Sequence, residues 1–220
     1  MRPPATRFGM FLDDYATILN PRRYVEAMTA AFVGAGGEIE RAGVSALTRE
    51  GDGWRLQGAG SRRFEHVVVA AGAWSRTLLD PLGIRVPLES QRGYHVQFEG
   101  GDGVISRTVV LAGKKVFATP MELGLRFGGT VEIGGLARPP DARRSDVLQR
   151  IAVESFPQLA GLSAQTWMGH RPCMPNSVPV ISEAQGQPGL WLAIGHDHLG
   201  LTDSLPTALR ISDGICGARS

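Results

Sequence analysis

The chain has 220 residues, 43% of them apolar and 20% charged, with a net charge of +2. That length suits one large domain or two small ones, and the balance is that of a globular protein rather than a disordered one. A charge this near neutral gives no basis for nucleic-acid binding or a polybasic membrane contact.

No apolar run approaches the roughly 18 residues that span a bilayer, and the N-terminal residues lack an apolar signal core. Cys173 and Cys216 show no metal or C-x-x-C spacing. A reduced, cytoplasmic protein is the expectation, with room for attachment at the inner face of a membrane.

Taken in order, Phe8 to Leu12 suits a short strand. Asn20-Pro21 is a helix start: the Asn side chain can cap, and Pro fits the first helical position. Tyr24, Ala27, Met28, Ala31 and Phe32 then fall on one helix face, and Gly34 to Gly37 ends the helix. Glu38 to Thr48 predicts a strand, Glu50 to Gly53 a hairpin turn and Trp54 to Gln57 the returning strand. Arg62 to Ala71 predicts another strand, followed by a short helix over Trp74 to Leu82.

From Val86 to Gly135 the pattern becomes short, β-rich and glycine-separated, as in an antiparallel meander. Asp141 to Phe156 predicts a helix that Pro157 stops. Gln165 to His170 suits a strand feeding a rigid loop, Arg171-Pro-Cys-Met-Pro175. Val178 to Ile181 and Leu190 to Ile194 predict strands, the second an unbroken apolar run buried on both faces. Leu199 to about Ile215 predicts the closing helix. The expected class is therefore α/β (mixed α+β). Residues 1–82 and 176–220 form one layer, and residues 83–175 an interleaved antiparallel sheet with one helix.

Three places could carry chemistry. Arg171 sits between a strand end and two prolines that would hold its guanidinium for bidentate pairing with a carboxylate. By spacing alone it also reads as a surface arginine on a loop. Tyr94 and His95 are adjacent on a strand, so alternation sends them to opposite faces. Either could face a pocket, and either could be an ordinary strand residue. Gly195-His-Asp-His-Leu-Gly200 joins a buried strand to a helix, where outward N–H groups can grip an electron-rich group. His196 and His198 lack a third ligand at suitable spacing, so no metal site is assigned. Cys173 has no neighbouring base to make it a nucleophile. His66, ahead of a buried strand, reads as structural.

Eight stretches, taken together and in order, resemble the C-terminal part of the FAD-dependent D-amino-acid oxidase superfamily. They are Asn20-Pro-Arg-Arg-Tyr-Val, His66-Val-Val-Val-Ala-Ala-Gly-Ala-Trp-Ser75, Pro87-Leu-Glu-Ser-Gln-Arg-Gly-Tyr-His95, Ala118-Thr-Pro-Met-Glu-Leu-Gly-Leu-Arg126, Gly128-Gly-Thr-Val-Glu132, Trp167-Met-Gly-His-Arg-Pro172, Ser177-Val-Pro-Val-Ile181 and Gly195-His-Asp-His-Leu-Gly-Leu-Thr202. The nearest likeness is to the small subunit of bacterial D-amino-acid dehydrogenases, with glycine and sarcosine oxidases further off.

The resemblance implies the remainder of a glutathione-reductase-like FAD layer interleaved with an antiparallel substrate-binding sheet. It implies oxidation of a D-amino acid: the Cα hydrogen leaves as hydride to flavin N5, and the imino acid hydrolyses to an oxo acid and ammonia. Arg171 matches the arginine that pairs with the substrate carboxylate, and Tyr94 and His95 match a strand near the substrate. Val44 matches a backbone contact to the adenine, and Ala71, Gly72 and Trp74 match the second cofactor turn. Gly195, His196, Leu199, Gly200, Leu201 and Thr202 match the loop and helix start that face the flavin pyrimidine.

The G-x-G-x-x-G unit that opens the family, and that supplies its pyrophosphate site, is not found here. FAD held by the remaining walls alone should bind poorly. The resemblance implies a small amino-acid substrate, oxygen or a membrane quinone as electron acceptor, and, as partners, a peripheral membrane or quinone contact and a second copy or a separate chain supplying that unit. Asp203 falls in the predicted first turn of the closing helix, where it favours the helix and would disfavour an anionic flavin. The alternative is a non-catalytic descendant that binds a carboxylate or a protein and no flavin.

Overall fold

The computed structural model describes residues 8–58 and 60–217. Its first helix, α1 (Pro21–Gly34), begins as expected: the Asn20 side chain accepts from the Arg23 N–H at 3.1 Å, and Pro21 occupies the first turn. The apolar stripe of α1 is not inward. None of its residues is buried, and Met28 and Phe32 are 57% and 53% exposed. The periodicity marks a face that no described residue of its own unit buries.

The remaining elements follow in order: β1 (Val44–Glu50), β2 (Gly53–Gly58), β3 (Arg63–Phe64), β4 (Val67–Val69), α2 (Ser75–Leu79), β5 (Glu89–Phe98), β6 (Val109–Leu111), β7 (Val116–Met121) and β8 (Gly124–Ile133). Then come α3 (Ala142–Ser155), β9 (Ala164–Cys173), β10 (Val180–Glu183), β11 (Leu190–Ile194) and α4 (Ser204–Gly217). Within the meander expected over Val86 to Gly135, the glycines do not separate every strand: β8 runs unbroken through Gly128 and Gly129. Pairing with β7 carries the backbone through both glycines, and left-handed Thr130 (φ 56°) follows them. Among the described residues no helix is long and apolar enough to cross a membrane.

The chain groups into two compact units. One comprises Met1–Ile39, Gly93–Val131 and Pro139–Met168; the other comprises Glu40–Arg92, Glu132–Arg138 and Gly169–Ser220. These bounds differ from the expected 82/83 and 175/176. The N-terminal segment with α1 joins the antiparallel sheet because Leu19, Asn20 and Arg23 bond to Glu122 beyond β7.

In the first unit the strand order is β6-β7-β8-β5-β9. One sheet face buries Tyr94, Val96, Phe98, Ala118 and Phe127 against Leu148 and Ala152 of α3. The other face carries the alternate residues, among them His95, Gln97, Phe117 and Arg126. In the second unit a sheet of order β10-β11-β4 pairs β11 parallel to β4 and antiparallel to β10. Leu190, Leu192 and Ile194 of β11 enter a core with Leu47, Trp54, Val69 and Leu79. The β1–β2 hairpin docks there through Trp54, whose indole N–H donates to Pro188 O at 2.9 Å.

Helix α4 lies close over Trp191 because Gly214 has no side chain: a Cβ there would sit 2.4 Å from the indole ring. Gly214→Ala should therefore destabilise the protein by about 1–3 kcal/mol, overpacking outweighing the gain in helix propensity. A thermal melt checks this; an unchanged or raised Tm contradicts the packing.

Candidate active site

Two glycine turns of the second unit build one wall. After β4, Gly72 takes a left-handed conformation (φ 55°), and no atom lies within 4 Å of where its Cβ would be. The Trp74 N–H donates to Ala71 O at 3.1 Å, and the Ser75 hydroxyl donates to Gly72 O at 2.8 Å. This tight turn leaves Trp74 half-exposed, its ring edge-on to His170 at 5.1 Å. His170 is held in turn by Ser90, with Oγ 2.7 Å from Nδ1.

The second turn follows β11. Gly195 is left-handed (φ 84°), and a Cβ there would sit 2.5 Å from Met174 Cγ. Asp197, also left-handed, donates its N–H to Pro172 O at 3.0 Å and accepts from the Met174 N–H at 3.3 Å. These bonds strap the turn to the end of β9. His196 pairs with the buried Thr207 hydroxyl of α4, Nε2 to Oγ1 at 2.9 Å. The Leu199 N–H donates to His196 O and the Asp203 N–H to Leu199 O, each at 2.8 Å. Among the described residues the N–H groups of Gly200, Leu201 and Thr202 have no backbone acceptor.

The closing helix thus starts at Ser204, later than the expected Leu199. Residues 199–203 are not helix, and Gly200 to Asp203 are turn, because Gly200 and the left-handed Asp197 favour folding the backbone back on itself. Asp203 is consequently not in the first helical turn but immediately ahead of it, and its carbonyl accepts from the Thr207 N–H at 3.1 Å. Between β4, β11 and α4 runs an apolar groove of ≈ 560 Å³ lined by Val68, Ala70, Ala193, His196, Thr207 and Ile211.

Arg171 belongs to β9 rather than to a loop, since the strand continues to Cys173, which forms a bridge to His196. Arg171 is half-buried and has no acceptor or carboxylate partner among the described residues. Cys173 is buried, and burial, with Asp197 nearby, pushes its thiol up to about 12. A thiol so far from ionising is no nucleophile at neutral pH. Val44 is the exposed first residue of β1, in the same unit. His66 accepts a hydrogen bond from the Trp191 indole at 3.4 Å, a structural use. Among the described residues no three His, Cys, Asp or Glu side chains cluster as metal ligands.

Tyr94 and His95 fall in the first unit and separate as alternation requires, with Tyr94 inward. It is 2% exposed, its hydroxyl accepts from the Asp141 N–H at 3.0 Å, and the Arg144 guanidinium lies over its ring. Tyr94 is therefore a core and helix-docking residue, the ordinary strand role that its sequence also allowed. His95 is on the open face, stacked on Trp167 at 4.9 Å. Gln97, Arg126 and Trp167, which share that face, were not singled out by the sequence. Period-two spacing from His95 points to Gln97, but strand order, which brings in the other two, is not readable from the sequence.

The chain belongs to the FAD dependent oxidoreductase (DAO) family, whose description matches residues 1–213. It is 31% identical over 220 residues to the D-amino-acid oxidase of Bradyrhizobium diazoefficiens, covering 97% of this chain and 52% of that protein. It is 35% identical over 176 residues to a D-amino acid dehydrogenase of the same organism, covering 76% and 41%. The crystal structure of glycine oxidase from Geobacillus kaustophilus superposes with a TM-score of 0.77 at 25% identity, covering 86% of this chain and 52% of that one. The mixed α/β fold with antiparallel sheets is thus that of FAD-dependent enzymes, as the motif set implied. The chain spans about half the length of these relatives.

The second unit's residues fit a flavin. Three backbone donors in a row at residues 200–202 suit an acceptor-rich ring edge, and the open space at Gly72 beside half-exposed Trp74 admits a close neighbour.

Burial, with the Arg126 charge adding to it, pulls the His95 imidazole down to about 4. The unfolded chain takes up a proton near pH 6.5, while the folded chain resists until about pH 4. Stability should therefore fall as pH drops through this window and level off below it. Chemical denaturation across about pH 7 to 4 checks this: His95→Gln should flatten that part of the profile, and an unchanged profile contradicts the assignment.

Proposed function

We propose that this chain carries the flavin-facing and carboxylate-binding walls of a FAD-dependent oxidoreductase that oxidises the CH–NH2 group of a D-amino acid. The observation that carries this is the occurrence, within one unit, of half-buried Arg171, with no acceptor among the described residues, and of the N–H groups of residues 200–202, with no backbone acceptor among them. A guanidinium held in a strand offers two parallel N–H donors, and a carboxylate is the group that matches them. Alternation along β9 sends Arg171 to the face opposite His170, so the Ser90–His170–Trp74 contacts hold the strand from the other side.

Bound FAD supplies the two-electron acceptor for the Cα–H bond. The chain's own residues then orient and bind. Arg171 fixes the substrate by its carboxylate, so one Cα face is presented. The N–H groups of Gly200, Leu201 and Thr202 would hold the ring edge where negative charge gathers on reduction. Ala71, Gly72 and Trp74 would flank the cofactor, and the strap from Asp197 to Met174 and Pro172 holds the turn after β11 against the end of β9. The preference for the D series rests on the relatives named for D-amino acids, 31% and 35% identical.

The test is anaerobic addition of D-alanine or glycine to the flavin-loaded protein, followed at the visible flavin bands. Bleaching by the D-amino acid and not by its L-enantiomer is expected. Arg171→Leu, with its fold intact by circular dichroism, should raise the half-saturating amino acid concentration on the order of 10²-fold, from the loss of about 2–5 kcal/mol in a desolvated charged pair. No bleaching, or unchanged saturation in Arg171→Leu, refutes the proposal.

A further inference from the structure

We infer that Ser90 and His170 are a positioning pair for the turn at Ala71 to Trp74, holding the Trp74 ring as a preformed wall for a flavin, a role that rests on the flavin-binding function proposed for this unit. All three residues lie in the second unit. Ser90 is the second residue of β5 and is 4% exposed. A buried hydroxyl needs a partner, and this one has His170 Nδ1 of β9 at 2.7 Å. A hydroxyl can donate to a ring nitrogen or accept from it, so the bond forms with either tautomer of the imidazole. It fixes how the ring is turned. The ring then meets Trp74 edge-on, with centroids 5.1 Å apart and planes at 69°, a favoured aromatic arrangement.

The backbone of Trp74 is fixed on both sides. Its N–H donates to Ala71 O at 3.1 Å, and its carbonyl accepts from the Thr77 hydroxyl at 2.6 Å. Its side chain is held by less. The residue is 50% exposed, and its indole N–H has no acceptor among the described residues. The two buried tryptophans of this unit are finished differently: Trp54 donates to Pro188 O at 2.9 Å and Trp191 to His66 at 3.4 Å. For Trp74 the His170 ring takes the place of such a bond.

No atom fills the space over left-handed Gly72, in the same turn, so a flat ring can approach the backbone there with Trp74 at its side. Ordering an aromatic side chain at the moment of binding costs affinity, and holding it beforehand removes that cost. Ser90 and His170 supply this prior ordering. They act through Trp74 and not on the ligand. Alternation along β9 sends Arg171 to the other face, so the pair leaves the carboxylate end of the site to Arg171.

The experiment pairs two readouts on the full chain: riboflavin affinity by quenching of flavin fluorescence, and the indole N–H resonance of Trp74, assigned among the four tryptophans by its loss in Trp74→Phe. Ser90→Ala and His170→Phe, the second keeping an aromatic edge but no ring nitrogen, should each weaken riboflavin about three- to tenfold. The double variant should be no weaker than either single one, because each removes the same bond. Ser90→Thr, which keeps the hydroxyl, should stay nearer the unaltered protein than Ser90→Ala does. In Ser90→Ala the Trp74 resonance should broaden or move toward that of free indole while those of Trp54 and Trp191 hold their positions, which a general loosening of the fold would not spare. Unaltered riboflavin affinity in both single variants, losses that add in the double variant, an unmoved Trp74 resonance, or a shift shared with Trp54 and Trp191 overturns the positioning role alone. Riboflavin left unquenched by the unaltered protein overturns the flavin reading of the turn and this inference with it.

Discussion

The buried charge of Arg92 fixes the register of β5. Arg92 is fully buried, its Nε lies 3.4 Å from the carboxylate of Glu132, itself 7% exposed, and its Nη1 donates to Arg138 O at 2.7 Å. Arg138 approaches the other oxygen of Glu132 at 3.6 Å. Gly134 permits this close packing, since a Cβ there would lie 3.3 Å from the Arg92 side chain. A buried charge that loses its partner costs about 3–5 kcal/mol, so β5 cannot slip by one residue without stranding it. Parity set at position 92 then runs along the strand: Tyr94, Val96 and Phe98 go inward, and His95 and Gln97 go to the open face.

Three arginines differ in what answers their charge. Arg92 is the most buried and is answered by carboxylate and carbonyl. Arg126 is half-buried and answered by one neutral amide. Arg171 is half-buried and answered by nothing among the described residues. Desolvation is costly in each case, and the cost is met inside the protein for the first alone. At Arg171 the proposed substrate carboxylate would supply the missing counter-charge.

Much of this was legible in the sequence. The apolar run Leu190 to Ile194 is a strand buried on both faces, Asn20-Pro21 starts a helix, and the turn at Glu50 to Gly53 closes a hairpin, because each depends on local chemistry. The set of glycine-ended stretches identified the family. What was not legible depended on long-range pairing. Alternation separated Tyr94 from His95 without saying which faces the core, a choice made by α3 and the Asp141 N–H. The helix period of α1 was real, yet no residue of α1 is buried. The start of α4 moved to Ser204 because Asp197 folds left-handed against Met174 and Pro172, which local propensity does not foretell. Arg126 and Trp167 meet His95 through the strand order β8-β5-β9, a property of the sheet and not of any segment.

The central claim is that the turn after β11 offers its backbone donors to a flavin ring. Riboflavin isolates that contact, because it has the ring system and no pyrophosphate. Titrating the protein into riboflavin and into FAD, and reading flavin fluorescence and the visible bands, tests it most directly. The account predicts saturable quenching for both, with a shifted band shape, weakened when Gly200→Pro removes one of the three donors while circular dichroism stays unchanged. Fluorescence and absorbance identical to those of the free flavins at every protein concentration would contradict it.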